Sequence, residues 1–133
     1  MKKLSIIILA AGEGTRMKSS LPKVMHKLSG KSLVKWVVDA SHKLNPDKIC
    51  VIVGYGADRI KEELNESKLL FAVQEKQLGS GHALNQAAKQ FKSYKGDILV
   101  LCGDVPLISP ETLQALVELH RKNSASATVL STA

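Results

Sequence analysis

The stretch Leu4–Gly12 reads LSIIILAAG, an almost unbroken apolar run that ends in two alanines and a glycine. Isoleucine-rich runs without regular alternation of polar residues are typical of a strand that is buried on both faces of a parallel sheet. A glycine directly after such a strand indicates a tight turn into a loop. The stretch therefore predicts a buried strand over Leu4–Leu9 in an α/β fold.

The rest of the chain alternates between helical and strand periodicity. Alternation of this kind predicts a doubly wound, mainly parallel sheet with helices on both faces, a Rossmann-like fold. Its ligand site is expected in loops at the carboxyl ends of the strands. A strand that starts just before the sequence stops suggests that residues 1–133 are one domain, truncated at its C-terminus. The predicted helices are 31–44, Asp58–Leu64, 80–92 and one starting at Ser109-Pro110-Glu111, and the further strands are Lys48–Val53, Leu69–Val73, Asp97–Cys102 and Ala127–Leu130.

The composition favours a globular domain with an anionic ligand. The 133 residues are 44% hydrophobic and only 4% aromatic, so the core must consist mainly of aliphatic side chains. The formal net charge of +7 suits anionic partners. However, the lysines are scattered, and aromatic residues do not interleave with them as in many nucleic-acid-binding proteins. We therefore expect no nucleic-acid partner.

The cysteines and the N-terminus indicate the cellular compartment in which the protein is expected. Cys50 and Cys102 lie in apolar runs without metal-ligand spacing, which predicts buried, reduced thiols. The basic start Met1–Lys3 before Leu4–Ala11 resembles a short signal peptide, but the apolar run is near the minimum length and a glycine turn follows it directly. We interpret the run as a strand, expect a cytoplasmic protein, and find no stretch long enough to predict a membrane partner.

The loop after the first strand has the densest chemical signal. Gly12 and Gly14 let the backbone approach a ligand closely, with amide N–H groups free to bind phosphate oxygens. Arg16 adds a planar guanidinium suited to phosphate, and Lys23, stiffened by Pro22, adds a mobile point charge. The loop therefore favours phosphate binding, although a plain strand-to-helix turn remains an alternative.

Two familiar phosphate motifs do not match this loop. A dinucleotide-binding fingerprint requires glycine where Met17 stands, followed at once by a helix. Gly30-Lys31-Ser32 imitates the end of a P-loop, but Met25 occupies the position of its first glycine. Neither motif explains the loop.

Three segments together carry a family resemblance: LAAGEGTRM at 9–17 with LPK at 21–23, QEKQLGSGHA at 74–83, and GDVPL at 103–107. In this order the chain resembles the sugar-phosphate nucleotidyltransferases, and most closely the bacterial bifunctional uridylyltransferase/acetyltransferases. The resemblance implies transfer of a uridylyl group from UTP to N-acetylglucosamine 1-phosphate, with Mg²⁺ as cofactor. The products would be UDP-N-acetylglucosamine and pyrophosphate.

The resemblance also assigns roles to residues. The Mg²⁺ site in such enzymes is completed by a later asparagine, beyond the present sequence. Cys102 replaces an aromatic residue often found there, which puts a nucleotide contact by its side chain in doubt. The implied catalytic residues are Arg16 and Lys23; the implied substrate-binding residues are Leu9, Ala10, Ala11, Gly12, Lys23, Gln74, Gly79, Ser80, Cys102, Gly103 and Asp104; and the implied metal ligand is Asp104.

Several alternatives stay open at this stage. Ser80 is also well placed to cap a helix, and Asp104 to close its own turn. His82 has the position of a packing or capping residue. The chain could bind a nucleotide without turnover, or belong to a related enzyme that uses another nucleoside triphosphate. An oligomer is expected only if the parent protein carries a C-terminal domain.

Overall fold

A computed structural model describes residues 2–12 and 20–131. Four parallel strands form the main sheet in the order β5-β4-β1-β6, and β2 and β3 form a separate antiparallel hairpin. The strands are β1 (Leu4–Ala10), β2 (Lys27–Leu28), β3 (Lys31–Ser32), β4 (Ile49–Val53), β5 (Leu69–Val73) and β6 (Asp97–Cys102), and the helices are α1 (Leu33–His42), α2 (Ala57–Leu64), α3 (Ser80–Asn85), α4 (Ala88–Phe91) and α5 (Pro110–Lys122).

Helices cover both faces of the sheet, which confirms the doubly wound α/β prediction. On one face, Ile6 and Ile8 of β1 pack in a core with side chains of α1, α2 and α5. On the other face, Ile7 packs in a smaller core with residues of α3 and the start of α4. Alternate residues of β1 thus enter opposite cores, as expected for a central strand with a side-chain period of two.

Serine side chains cap the N-termini of α1 and α5, and the start at Ser109 is the one that the sequence predicts. Ser32 Oγ accepts a hydrogen bond from Lys35 N at 3.3 Å, and Ser109 Oγ accepts one from Thr112 N at 3.1 Å. Each bond satisfies a backbone N–H that has no partner inside the helix. Pro110 occupies the first turn of α5, where its missing N–H is not needed.

Two expectations on the β6 side are wrong: the burial of Cys102 and the strand over Ala127–Leu130. Only one face of β6 is buried, and Cys102 is exposed with Ile98 and Val100 because β6 is an edge strand. The predicted strand Ala127–Leu130 does not form, and no strand of residues 2–12 and 20–131 pairs with the outer edge of β6. Residues 127–130 lie beside β6 around a shared cavity but form no strand.

The predicted helix 80–92 forms as two short helices. Between α3 and α4 the chain tightens, with Gln86 N bonded to Ala83 O and Ala87 N to Leu84 O, both at i−3. This tighter winding turns Ala87 onto the sheet, while Leu84 is 36% exposed instead of buried. Neither these helices nor any other in the described part of the chain is long and apolar enough to cross a membrane.

Asp97 joins the start of β6 to the end of α5, far from the carboxyl ends of the strands. Its Oδ2 accepts a 2.8 Å hydrogen bond from Arg121 Nε, and its Oδ1 lies 3.0 Å from Lys2 Nζ. Burial by itself raises the pKa of the Asp97 carboxyl, but hydrogen bonds and charge from Arg121 and Lys2 outweigh it and hold that pKa below its ordinary value.

We expect Asp97 to make the fold sensitive to acid. Because its pKa is lower in the folded chain, its stabilisation is fully present above its unfolded pKa, near pH 4, and is lost as pH falls through the folded pKa. Asp97→Ala should lower the free energy of unfolding by roughly 1–2 kcal/mol at pH 6 and by much less at pH 2. Urea unfolding at both pH values measures this. Asp47→Ala is the control, since Asp47 forms an exposed pair with Lys3; equal losses in the two variants at pH 6 would contradict the account.

Candidate functional site

The strand order changes direction between β1 and β6. From β1 the chain moves to β4 and then β5 on one side, whereas β6 pairs with the other side of β1. In open α/β sheets, ligands bind outside the carboxyl ends of the strands at such a point. The loops that leave β1 and β6 both start there, so Gly12 and Asp104 border the same crevice.

An ion pair joins these two loops. Lys23, in a short 3₁₀ turn over Lys23–Met25, places its Nζ 2.9 Å from Asp104 Oδ2. Both side chains are partly exposed, so a ligand has access to them. The Asp104 carboxylate is thus engaged by a neighbouring loop, which argues against an aspartate that only closes its own turn. Two predicted site residues, 81 positions apart in sequence, meet here.

The position of Lys23 is fixed by contacts of the preceding residues. Pro22 is buried against Gly56, where a Cβ would overlap the proline ring. Gly56 has φ +71°, which favours glycine, and it is the N-cap of α2. Tyr55 donates a hydrogen bond from its hydroxyl to Ser20 O at 3.1 Å. The turn between β4 and α2 therefore holds the segment that carries Lys23.

Gly103 brings the Asp104 loop against β1. Gly103 N donates to Leu9 O at 2.9 Å, and a Cβ on Gly103 would lie 2.9 Å from the same oxygen and 3.2 Å from Val24 Cγ1. Only glycine allows this approach without a shift of the backbone. The predicted role of Gly103 in giving close access to the site therefore has a structural basis, whereas the Cys102 side chain is exposed one position earlier.

The third segment reaches the same crevice from β5. Gln77 Nε2 donates to Ala11 O at 2.7 Å, which links this loop to the end of β1. Gly54, at the end of β4, lies between them: a Cβ there would be 2.7 Å from Gln74 O and 3.1 Å from both Ala11 O and Gln77 Nε2. In the sequence alone, Gly54 marks only the end of a strand. The signal available was a glycine at the carboxyl end of a buried strand.

Gln74 is buried at the start of this loop, and its Nε2 lies 3.2 Å from Gly79 O and 2.9 Å from His82 Nδ1. The histidine that looked like a packing or capping residue thus touches a predicted site residue. Ser80 is the first residue of α3, and Gly79 is the N-cap with no side-chain capping bond. The alternative that Ser80 caps the helix is therefore wrong, and its side chain is exposed.

The remaining predicted residues belong to the first loop. Leu9, Ala10 and Ala11 end β1 or follow it directly, and Gly12 is exposed at the crevice, where a Cβ would have no atom within 4 Å. Arg16, the second predicted catalytic residue, lies outside the described residues. The structure therefore brings together the ends of β1, β5 and β6, and it leaves the placement of Arg16 a prediction.

The side chains at the crevice suit a metal ion that is bound partly by the protein and partly by a bound ligand. No group of three or more His, Cys, Asp or Glu side chains that could hold a metal ion is found in residues 2–12 and 20–131. Asp104 offers one partly exposed carboxylate, and Mg²⁺ at nucleotide sites commonly uses one or two carboxylates together with phosphate oxygens and water. Asp104 thus fits a cation that a triphosphate helps to bind.

The Cys50 thiol is not a candidate nucleophile. Burial raises the pKa of the Cys50 thiol to about 11, so this side chain is a protonated packing residue in β4. A cavity of about 1030 Å³ lies instead along β6, α5 and residues 125–130. Its lining is mostly aliphatic and reflects the unpaired edge of the sheet, so we locate the site at the loops.

Comparison with known sequences identifies the family of the chain. A family model described as a MobA-like NTP transferase domain matches residues 6–133. Among curated relatives, "Bifunctional protein GlmU" of Nostoc sp. strain PCC 7120 is 50% identical over 125 residues, covering 94% of this chain. The protein of the same name from Geobacillus thermodenitrificans is 49% identical over 130 residues, covering 98%. The chain spans 28% of the length of each relative.

Solved structures share the fold. A nucleotidyl transferase from Methanothermobacter thermautotroptrophicus (Mth528) aligns with a TM-score of 0.74 at 25% identity, over 87% of this chain and 57% of that one. HddC from Yersinia pseudotuberculosis, solved as a complex with GMP-PN, aligns with a TM-score of 0.70 at 27% identity, over 90% of this chain and 54% of that one. The Rossmann-like architecture is thus that of a nucleotidyl transferase.

Proposed function

Because this chain belongs to the MobA-like NTP transferase family, we propose that it forms the nucleotide-binding part of an enzyme that transfers a uridylyl group from UTP to N-acetylglucosamine 1-phosphate. The family and the curated relatives make it a sugar-phosphate nucleotidyltransferase. The choice of UTP and of this sugar phosphate rests on the three sequence segments that resemble bacterial uridylyltransferase/acetyltransferases. The single observation that carries the proposal is the Lys23–Asp104 pair across the crevice.

The proposed reaction needs positioning and charge neutralisation more than a protein nucleophile. An oxygen of the sugar phosphate attacks the α-phosphorus of UTP in line with the departing pyrophosphate. Lys23 Nζ carries three N–H donors, so it can keep its bond to Asp104 and donate to an α-phosphate oxygen as well. In this arrangement Lys23 neutralises the charge that develops during transfer.

The other residues have roles around this centre. Gly12 and the end of β1 border the nucleoside, and Gln74 and Gly79 face the base. Arg16 is proposed to bind the β- and γ-phosphates. Asp104 is the residue that would hold Mg²⁺, and a bound Mg²⁺ supplies positive charge to the phosphates. The solved HddC complex with GMP-PN supports nucleotide binding by this fold, with a different base.

Calorimetry and a pyrophosphate assay test the proposal together. We expect the full chain to bind UTP with Mg²⁺ more tightly than CTP, GTP or ATP. Pyrophosphate release on addition of N-acetylglucosamine 1-phosphate would support the enzyme; UTP binding without release would support a binding module instead. Failure to bind UTP, or preference for another nucleotide, would contradict the assignment of UTP.

A further inference from the structure

The turn between β4 and α2 meets the segment that leads into Lys23 at two points. The Tyr55 hydroxyl donates to Ser20 O at 3.1 Å. The Pro22 ring, which is fully buried, lies where a side chain on Gly56 would be: a Cβ there would overlap Pro22 Cγ and lie 3.1 Å from Pro22 Cδ. The backbone is therefore held at two positions directly before Lys23.

The turn can fix this segment because α2 is itself anchored in the core. Ile60 and Leu64 of α2 are buried, and Ile60 N donates to Gly56 O at 3.1 Å. Gly56 is the N-cap of α2 and has φ +71°, a conformation that favours glycine. The position of the turn is therefore set together with that of the helix, and a fixed element of the fold lies behind Pro22.

The ion pair between Lys23 and Asp104 is too weak to hold Lys23 in place by itself. Both side chains are partly exposed, and pairs of that kind contribute little to stability. A lysine side chain is also flexible, so its ammonium group is mobile unless the backbone that carries it is fixed. On the other side of Lys23, Val24 is buried beside Gly103. The placement of Lys23 Nζ therefore depends on the backbone contacts before and after it.

We propose that Tyr55 and Gly56 are positioning residues that act through Lys23: Tyr55 by its hydrogen bond, and Gly56 by leaving room for the Pro22 ring. Together they hold the Lys23 ammonium group beside Asp104, where it can donate to a phosphate. The inference rests on the proposed function, in which Lys23 binds the phosphates of UTP. In a preorganised site, a small displacement of a donor removes much of its effect.

A double-mutant cycle tests the inference, with equilibrium binding of UTP and Mg²⁺ to the full chain as the readout. Gly56→Ala should weaken UTP binding about tenfold in the parent chain, the low end of the effect of one charge-assisted hydrogen bond, and less than about twofold when Lys23 is already alanine. A residue that acts through Lys23 loses its effect once Lys23 is gone, whereas a merely structural role weakens binding equally in both backgrounds. Equal losses, or no loss in the parent chain, would overturn the proposal.

Gly30→Ala is the matched control for backbone strain. Gly30 has φ +79°, so alanine there is strained much as it is at Gly56, but no atom of the described residues lies within 4 Å of the added Cβ. Gly30→Ala should therefore leave UTP affinity unchanged. A loss as large as that in Gly56→Ala would show that strain, and not displacement of Pro22, weakens binding, and it would overturn the proposal.

Tyr55→Phe keeps the proposal testable if Gly56→Ala does not fold. It removes one oxygen from a side chain that is 40% exposed, so the fold should be retained. UTP binding should weaken about threefold, the low end of the effect of one neutral hydrogen bond, and only in the chain that keeps Lys23. Affinity equal to that of the parent chain would overturn the role of Tyr55.

Hydrogen exchange in the ligand-free chain separates this inference from the proposed function. Met25 N donates to Pro22 O at 2.9 Å, so its amide reports on the segment that carries Lys23. NMR should show exchange of this amide about threefold faster in Tyr55→Phe than in the parent chain, and unchanged exchange would overturn the inference. If the parent chain fails to bind UTP, the function is wrong; if it binds UTP and the cycle shows no coupling to Lys23, only the positioning role is wrong.

Discussion

Replacing Lys23 by alanine is expected to slow pyrophosphate release by the full chain roughly 100- to 1000-fold, the usual effect of removing a preorganised charge from a transition state. Asp104→Asn should have an effect of the same order, because it removes the carboxylate that binds the proposed Mg²⁺ and pairs with Lys23. Lys23→Ala should also weaken UTP binding at least tenfold, since a charge-assisted hydrogen bond to phosphate is lost. Timed assays of pyrophosphate release and calorimetry with UTP measure the two effects.

The fold should survive both substitutions. The Lys23–Asp104 pair is partly exposed, and such pairs contribute at most about 1 kcal/mol to stability. Asp47→Asn is a matched control, because Asp47 forms a lysine pair with Lys3 at the opposite end of the sheet. Rates close to those of the parent chain in Lys23→Ala or Asp104→Asn would contradict the assignment of these residues.

Gly54→Ala is expected to destabilise the chain by about 2–3 kcal/mol and to weaken UTP binding as well, since overpacking of this kind typically costs about 1–3 kcal/mol. The added methyl group would meet two backbone oxygens, Gln74 O at 2.7 Å and Ala11 O at 3.1 Å, and backbone cannot move aside as a flexible side chain can. Separation of these segments would also break the 2.7 Å bond from Gln77 to Ala11.

Urea unfolding of Gly54→Ala, with Gly81→Ala as the control, checks this expectation. No atom lies within 4 Å of a Cβ at Gly81, which is in α3, so alanine there should be neutral or stabilise by up to about 1 kcal/mol. Equal stability of the two variants would show that the ends of β1, β4 and β5 are not packed as described.

The central architecture could be predicted from the sequence because its signals are local. Strands Leu69–Val73 and Asp97–Cys102 form with the predicted bounds, and the cap at Ser109 is where its pattern indicates. Each signal is a run of apolar residues or a short capping motif, so no knowledge of distant contacts is needed. The helices on both faces follow from the alternation of these elements.

What the sequence did not predict depends on neighbours distant along the chain. The run Ala127–Leu130 has strand composition, but composition does not show whether a run pairs with another strand, and this run stays unpaired although the outer edge of β6 is free. The exposure of Cys102 follows from the edge position of β6, which the apolar pattern of that strand does not reveal.

The same distinction between local and distant signals applies to the candidate site. Local chemistry singled out Lys23, Gln74 and Asp104, but the pairing of Lys23 with Asp104 required the topology that places β6 beside β1. Likewise His82 has an ordinary helical position in sequence, and its contact with the Gln74 amide emerges only from the fold. Gly54 acquires a role only because three segments converge on it.

A crystal structure of the chain with UTP and Mg²⁺ tests the central claim most directly. The account predicts the triphosphate in the crevice between the loops that follow β1 and β6, with Lys23 donating to it and the uracil beside Gln74 and Gly79. A nucleotide bound elsewhere, with Gly12, Lys23 and Asp104 free of contact with it, would contradict the account.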